Sequence, residues 1–226
     1  MSGSTSDYEA YAAARERVLS AAARRIPQAS AASQARALGL WNGKEVHFTN
    51  EGQFQLMLDL GVLGPVGGHS RALDREAKAA AYDEGSEDAR VLAALSKAHF
   101  TLFRIGEPHP EGGVRAEDLL RGTALRVRDR MLERAEFQGC GFAGRLMRLE
   151  GMEMTCGAVA PLSDEVIESL LGRVAKVQPA PAFLPLITPL LPDDAMALRA
   201  AAMAPDFPAH VYRAALDHGL LGPRPD

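Results

Sequence analysis

Cysteine is nearly missing from this chain: Cys140 and Cys156 are the only two among 226 residues. That is too few for a disulfide framework, and it suits a protein kept in a reducing cytoplasm. No Cys-x-x-Cys or His-x-x-x-His spacing occurs, so the short signature of a structural zinc site is lacking. Aromatic residues make up only 6% of the chain, with a single tryptophan, Trp41, which is little material for stacking the bases of a single strand. Positive charge is not in excess either. The formal net charge is -4, so there is no general attraction for phosphate backbones or anionic membranes. Long apolar runs are missing as well: no window approaches the roughly 18 residues of a membrane span, and the longest apolar stretch, Phe183 to Leu191, is broken by Pro185 and Pro189. Met1 to Asp7 is polar and serine-rich, so neither a secretory signal nor a lipid anchor is expected. The glycine-rich stretch Gly61 to His69 has no Gly-Lys-Ser/Thr ending and no dinucleotide spacing, and reads as a connection rather than a phosphate cradle.

What remains is ordinary globular material, 47% hydrophobic and 24% charged, with its positive charge carried overwhelmingly by arginine. An arginine- and alanine-rich composition of this kind fits a GC-rich bacterial genome better than phosphate recognition. The stretch Phe100 to Leu162 is the one place where apolar residues alternate with period two, as a half-buried strand requires. Phe103 and Ile105 share one side and Arg104 the other; Leu125 and Val127 alternate with Arg126 and Arg128, the two arginines turned outward. Pro108, Pro110, Gly112 and Gly113 break the pattern into a loop. Arg121-Gly122 turns it again, and Glu150-Gly151 reads as a two-residue hairpin turn into Met152-Glu153-Met154-Thr155-Cys156. About five short strands separated by glycine turns predict a small barrel or bent sheet.

Helical periodicity frames this unit. Tyr8, Tyr11, Arg15, Val18 and Ala22 recur at three- and four-residue steps, with Asp7 as expected cap and Pro27 as stop. Asn42-Gly43 is a turn dipeptide, Glu45 to Phe48 a short strand, and Thr49 or Asn50 a cap for a helix from Glu51 to Leu60 that buries Phe54, Met57, Leu58 and Leu60. Arg71 to Tyr82 reads as an exposed helix. Ser86 should cap a helix with Val91 and Leu95 on its buried stripe. After the strands, Ser163 starts a helix over Val166, Ile167 and Leu170. The segment Pro179 to Pro192 is too interrupted for a helix and too apolar for a free linker, so it is expected to lie extended along the protein or a partner. Asp193 or Asp194 would cap a helix through Met203, and another spans Pro208 to His218.

The succession Gly113-Val114, Asp118-Leu119-Leu120-Arg121-Gly122, Val127-Arg128-Asp129, Arg145-Leu146 and Gly151-Met152-Glu153-Met154-Thr155-Cys156-Gly157 resembles a β module of uncharacterised bacterial proteins, over residues about 100–160. Its shared features are turn glycines, a capping aspartate and core leucines. The resemblance implies a fold neighbourhood and no reaction.

Candidate chemistry is sparse. His99, His109, Cys140 and Cys156 are soft-metal ligands without metal-site spacing, and Cys156 would need a nearby histidine to act as a nucleophile. Glu117 and Asp118 could pair as carboxylates, but Asp118 before Leu119-Leu120 also suits a turn cap. No catalytic, cofactor or metal residue is assigned. The expected architecture is α+β, with helices flanking a small, mostly antiparallel β barrel or bent sheet. It comprises a helical region 1–99, a β unit 100–162 and a helical region 163–226 with the Pro-rich segment 179–192. The expected role is that of a non-enzymatic protein-binding or assembly protein, soluble and cytoplasmic, engaging a protein partner or a second copy. Trp41, Arg104, Arg126, Arg128, Phe183, Leu184, Leu186 and Ile187 are the candidate binding residues. The alternatives are a thiol- or metal-dependent enzyme using Cys140 and Cys156, and an RNA-binding module using the arginine face.

Overall fold

The computed structural model describes residues 3–64, 70–173 and 186–223. Phe183 and Leu184, with the rest of residues 179–185 of the Pro-rich segment, lie outside them. The fold is α+β: eight α-helices surround five strands, β1 (His99–Pro108), β2 (Val114–Asp118), β3 (Thr123–Arg128), β4 (Gly141–Leu149) and β5 (Met152–Leu162). The hydrogen-bonded order β1-β2-β3-β5-β4 returns to β1, closing a small barrel. Every pair is antiparallel except β3 with β5, which run parallel over only two residue pairs, Val127 with Glu153 and Arg128 with Met154.

Turn chemistry sets the registers. Glu150 and Gly151 both take positive φ, 47° and 81°, the combination that a two-residue turn between right-twisted strands requires. Gly113 at φ 85° has its α-carbon so near the Val127 carbonyl that an added β-carbon would sit 2.4 Å from that oxygen. The β2-β3 turn is held by Asp118. Its Oδ1 accepts from the backbone N–H groups of Leu120 and Arg121, both at 3.0 Å, and from the Thr101 hydroxyl at 2.7 Å.

The strands are buried on both faces. Phe103, Ile105, Val114, Val127, Phe142 and Leu146 fill the barrel interior. On the outside, Met147, Leu149, Met152, Met154 and Cys156 pack under α1 (Gly3–Ala23), α4 (Ala72–Ala79) and α5 (Glu87–Ser96). Met152, Met154 and Cys156 share the face turned to the helices and not the barrel lumen. Leu102, Ala143 and Leu162 meet α6 (Asp164–Leu170), α7 (Pro192–Ala201) and α8 (Phe207–Asp217). A third layer, α2 (Gln28–Leu38) and α3 (Glu51–Leu63) with α8, covers Ala158 and Ala160. Each leucine or methionine withdrawn from water in these layers contributes about 1.5–3 kcal/mol.

Several local expectations change. α1 is already helical at Gly3, so Asp7 is not its cap. Glu45 to Phe48 makes no strand, only a single bridge between Trp41 and Val46. α4 is shorter than 71–82 and is not exposed: Ala72, Leu73 and Glu76 are buried. Leu191 precedes α7 and Pro192 opens it, with Asp193 and Asp194 inside the first turn. Asn50 caps α3 through Gln53 N–H, Ser86 caps α5 through Ala89 N–H and Ser163 caps α6 through Val166 N–H, as read from the sequence. No helix among the described residues is long and apolar enough to cross a membrane.

Candidate functional site

A concavity lies where α1 and α3 approach β5, a cleft of about 710 Å³. A bulge in β5 shapes it. Gly144 pairs with Val159 and Leu146 with Thr155, so the single residue Arg145 opposes three residues, Cys156, Gly157 and Ala158. Gly157 adopts φ 105° to make the detour. A β-carbon there would meet only Leu19, at 3.8 Å, so backbone conformation and not space selects glycine at this position.

The same bulge aims Arg145 outward into a buried polar cluster. Its Nε donates to Asp59 Oδ2 of α3 at 3.0 Å, and the Tyr212 hydroxyl of α8 donates to that oxygen at 3.1 Å. The guanidinium also lies over the Phe100 ring, 5.8 Å from its centroid. Asp59 Oδ1 and Arg145 Nη2 are buried with no hydrogen-bond partner. Burial pushes the Asp59 carboxyl above the ordinary aspartate range, against the lowering pull of Arg145. Tyr212 is driven well up, first by burial and then by the Asp59 charge. Asp59 lines the cleft, together with apolar Leu19, Leu58 and Val62 and, at its rim, Glu16 and Glu51. Arg15 is tethered, its Nη1 donating to the Thr155 carbonyl at 2.8 Å.

Sequence reading missed this cluster because it assigned the buried face of α3 to Phe54, Met57, Leu58 and Leu60. The buried positions are Gln53, Leu56, Asp59 and the run Leu60 to Leu63, and Phe54 is exposed. The spacing of Gln53, Leu56, Asp59 and Leu63 is helical, but two of the four are polar, so a count of apolar residues rotates the helix. An aspartate inside an otherwise apolar helix, Leu-Met-Leu-Asp-Leu, was the available signal.

Cys156 faces this cleft and Cys140 faces the barrel interior, on opposite sides of the sheet. Burial raises both thiols, and the charges acting on Cys156 come from Asp59, Arg145, Arg15 and Glu153, with no imidazole among them. Among the described residues, no three His, Cys, Asp or Glu side chains gather as metal donors. Glu117 and Asp118 point to opposite faces, Glu117 pairing with Arg104 at 2.5 Å and Asp118 buried in its turn.

The expected binding residues are scattered. Arg126 pairs with Glu111 and donates to the Gly112 carbonyl. Arg128 is not outward: it is buried, bonded to Glu133 and laid over the Tyr8 ring of α1. A helix crossing the β3-β5 closure covers it, which alternation within one strand cannot reveal. Trp41 is half-buried with Arg36 stacked on its ring at 4.6 Å. Ile187 is buried, not available to a partner, because its side chain packs where Gly141 leaves room. Leu186 is exposed on a backbone that bridges to Cys140.

No curated protein and no solved structure matches the chain. One family model does, over residues 4–180, which take in the barrel, the helices α1 to α6 and both acidic and basic members of the buried cluster. The chain therefore belongs to that family, described as a family of unknown function (DUF7986).

Proposed function

We propose that this is a non-enzymatic protein-binding or assembly protein, working in a bacterial cytoplasm and contacting a protein partner or a second copy through the apolar face that begins at Leu186. The observation that carries this reading is the placement of exposed apolar side chains. Leu186, Leu191, Met196 and Met203 are 69%, 67%, 64% and 83% exposed, whereas among the other large apolar side chains of the described residues only Phe54 and Met131 are exposed, at 38% and 39%. The segment from Thr188 to Arg199 is tied to the body of the protein. Thr188 bonds to Asp164, Arg173 to Asp194, and Arg199 to the Leu120 carbonyl. Large apolar groups presented on an anchored frame suit an interface, and methionine adapts readily to a partner's surface.

The other classes receive less support. A thiol enzyme needs a stabilised thiolate, and both thiols are buried and raised. An RNA-binding arginine face needs free guanidiniums, and Arg104, Arg126 and Arg128 are each committed to a glutamate. Two free cysteines fit a reducing compartment.

Light scattering across a concentration series, with pull-downs under the same conditions, tests the reading. The comparison is between the native chain and the fourfold variant Leu186→Ser, Leu191→Ser, Met196→Ser, Met203→Ser. Self-association or one stoichiometric partner, lost in the variant while its unfolding midpoint holds, is expected. A native chain that is strictly monomeric and has the same pull-down profile as the variant would refute it.

A further inference from the structure

We infer that α7 is a self-association helix: a second copy of this chain docks its own α7 antiparallel across a two-fold axis at Met196, with Asp193 of each protomer facing Arg199 of the other. This rests on the apolar face that begins at Leu186 being an interface, and gives that face its occupant.

The sequence of α7 is Pro-Asp-Asp-Ala-Met-Ala-Leu-Arg-Ala-Ala, and Leu198 is its one buried residue. A helix turns by about 100° per residue, so Met196, Ala200 and, just past the helix end, Met203 form a stripe on the side away from Leu198. All three are exposed. The charges on the helix decide what covers that stripe. Asp194 is turned aside to Arg173, which leaves Asp193 and Arg199, both exposed. They stand three residues before and three after Met196, so they flank the stripe at about 60° to either side and about 9 Å apart along the axis. Among the described residues Asp193 has no hydrogen-bond or ion-pair partner, and Arg199 donates through Nε to the Leu120 carbonyl with no carboxylate facing it. A surface that fits here is apolar in the middle and carries its positive and negative charges in the reverse order. The same helix run backwards meets that description. Antiparallel pairing about Met196 sets Asp193 against the partner's Arg199 and Arg199 against the partner's Asp193, whereas parallel pairing would set like charges together. Met196 then meets its own copy on the axis, and Met203 falls beside the partner's Leu191. The alanines let the two axes approach to about 8–10 Å, and methionine adapts its shape to the contact. A surface paired with itself about a two-fold axis makes a closed assembly, the commonest among soluble oligomers, and complementary charge fixes its direction.

The test is sedimentation equilibrium of the full chain with charge reversal. The native chain is expected to show a monomer–dimer equilibrium. Asp193→Arg and Arg199→Glu, each alone, should weaken the dimer by about tenfold or more, since each turns two attractions into two repulsions. An equimolar mixture of the two variants, and the double variant carrying both changes, should recover dimerisation, because each puts opposite charges face to face again. Loss of the Arg199 bond to Leu120 would not be rescued in this way. If Arg199→Glu fails to fold, Met196→Asp, which brings a carboxylate from each copy to the axis, replaces it and should weaken the dimer as Asp193→Arg does. A native chain that stays monomeric, reversals that leave the dimer unchanged, or a mixture that recovers nothing would each overturn the inference. A monomeric chain that still loses a stoichiometric partner in the fourfold serine variant would keep the apolar face as an interface and remove the second copy from it.

Discussion

Replacing Asp118 with alanine should be among the most damaging single changes to this fold. The carboxylate accepts four hydrogen bonds: from the Thr101 hydroxyl, from the Leu120 and Arg121 N–H groups, and from the Arg121 guanidinium at 2.7 Å. Thr101 and Asp118 are both fully buried, so the hydroxyl left behind has no route to water. Hydrogen bonds to a charged acceptor are worth about 1.5–3 kcal/mol each, and they do not add independently. The Arg121 guanidinium is half in solvent, so its share is small. Counting the hydroxyl and the two backbone donors, with allowance for coupling, Asp118→Ala should cost about 4 kcal/mol. Asp118→Asn keeps an oxygen acceptor and should cost about 1–2 kcal/mol. Urea unfolding followed by circular dichroism measures both, with the slope against denaturant unchanged if the unfolded state is unaffected. The decisive comparison is the double variant with Thr101→Val. Once the donor is gone its stranding costs nothing, so the two changes together should cost about 1–2 kcal/mol less than their sum. Strict additivity, or a loss below about 1 kcal/mol for Asp118→Ala, would refute the reasoning that this carboxylate holds the turn.

Other outcomes follow from the same geometry. Glu153 is buried in the barrel wall with Oε2 unpartnered, and burial raises its carboxyl despite Arg148 and Arg121. The folded state therefore holds this proton more tightly than the unfolded one. The stability it contributes is present below the ordinary glutamate pKa of about 4.3 and is lost as pH rises through the elevated folded value. Glu153→Gln should remove that part of the profile, and parallel urea midpoints for the two proteins across this window would disprove it. Both cysteines should resist a thiol reagent in the native protein and react after unfolding, since burial raises both; one fast native thiol would restore the enzyme reading. Gly113→Ala should cost about 3 kcal/mol or more, combining positive φ with a clash against the Val127 carbonyl, while Gly151→Ala, with open space around it, should cost about 1 kcal/mol, both measured by thermal unfolding.

The barrel strands, their hairpin turn and the caps Asn50, Ser86 and Ser163 were legible because each rests on local chemistry. Glu150-Gly151, Asp118, Asn50, Ser86 and Ser163 act within four residues of themselves. What depends on distant chain was not legible. Arg128 reads as outward from its own strand, yet Tyr8 and Glu133 enclose it. Alternation puts Met152 and Met154 on one face and does not tell which face is inside; a barrel sheathed in helices buries both. The buried polar cluster stayed hidden because it is made by Asp59, Arg145 and Tyr212 from three remote segments, and the cleft beside it because it depends on a bulge whose only trace in sequence is Gly157.

The first helix fastens the barrel where its own ladder is thinnest. Tyr8 accepts from the Arg130 N–H, Arg15 donates to Thr155 and Tyr11 to Glu150, so α1 grips β5 and the chain just after β3, the two sides of the parallel closure. Arg15 and Thr155 are separated by 140 positions along the polypeptide. On a ribosome making about 5–20 residues per second, this clasp emerges many seconds before there is anything for it to hold. The nascent chain must carry an undocked helix until the last strand arrives, so the barrel closes late and all at once and not stepwise from its first helix.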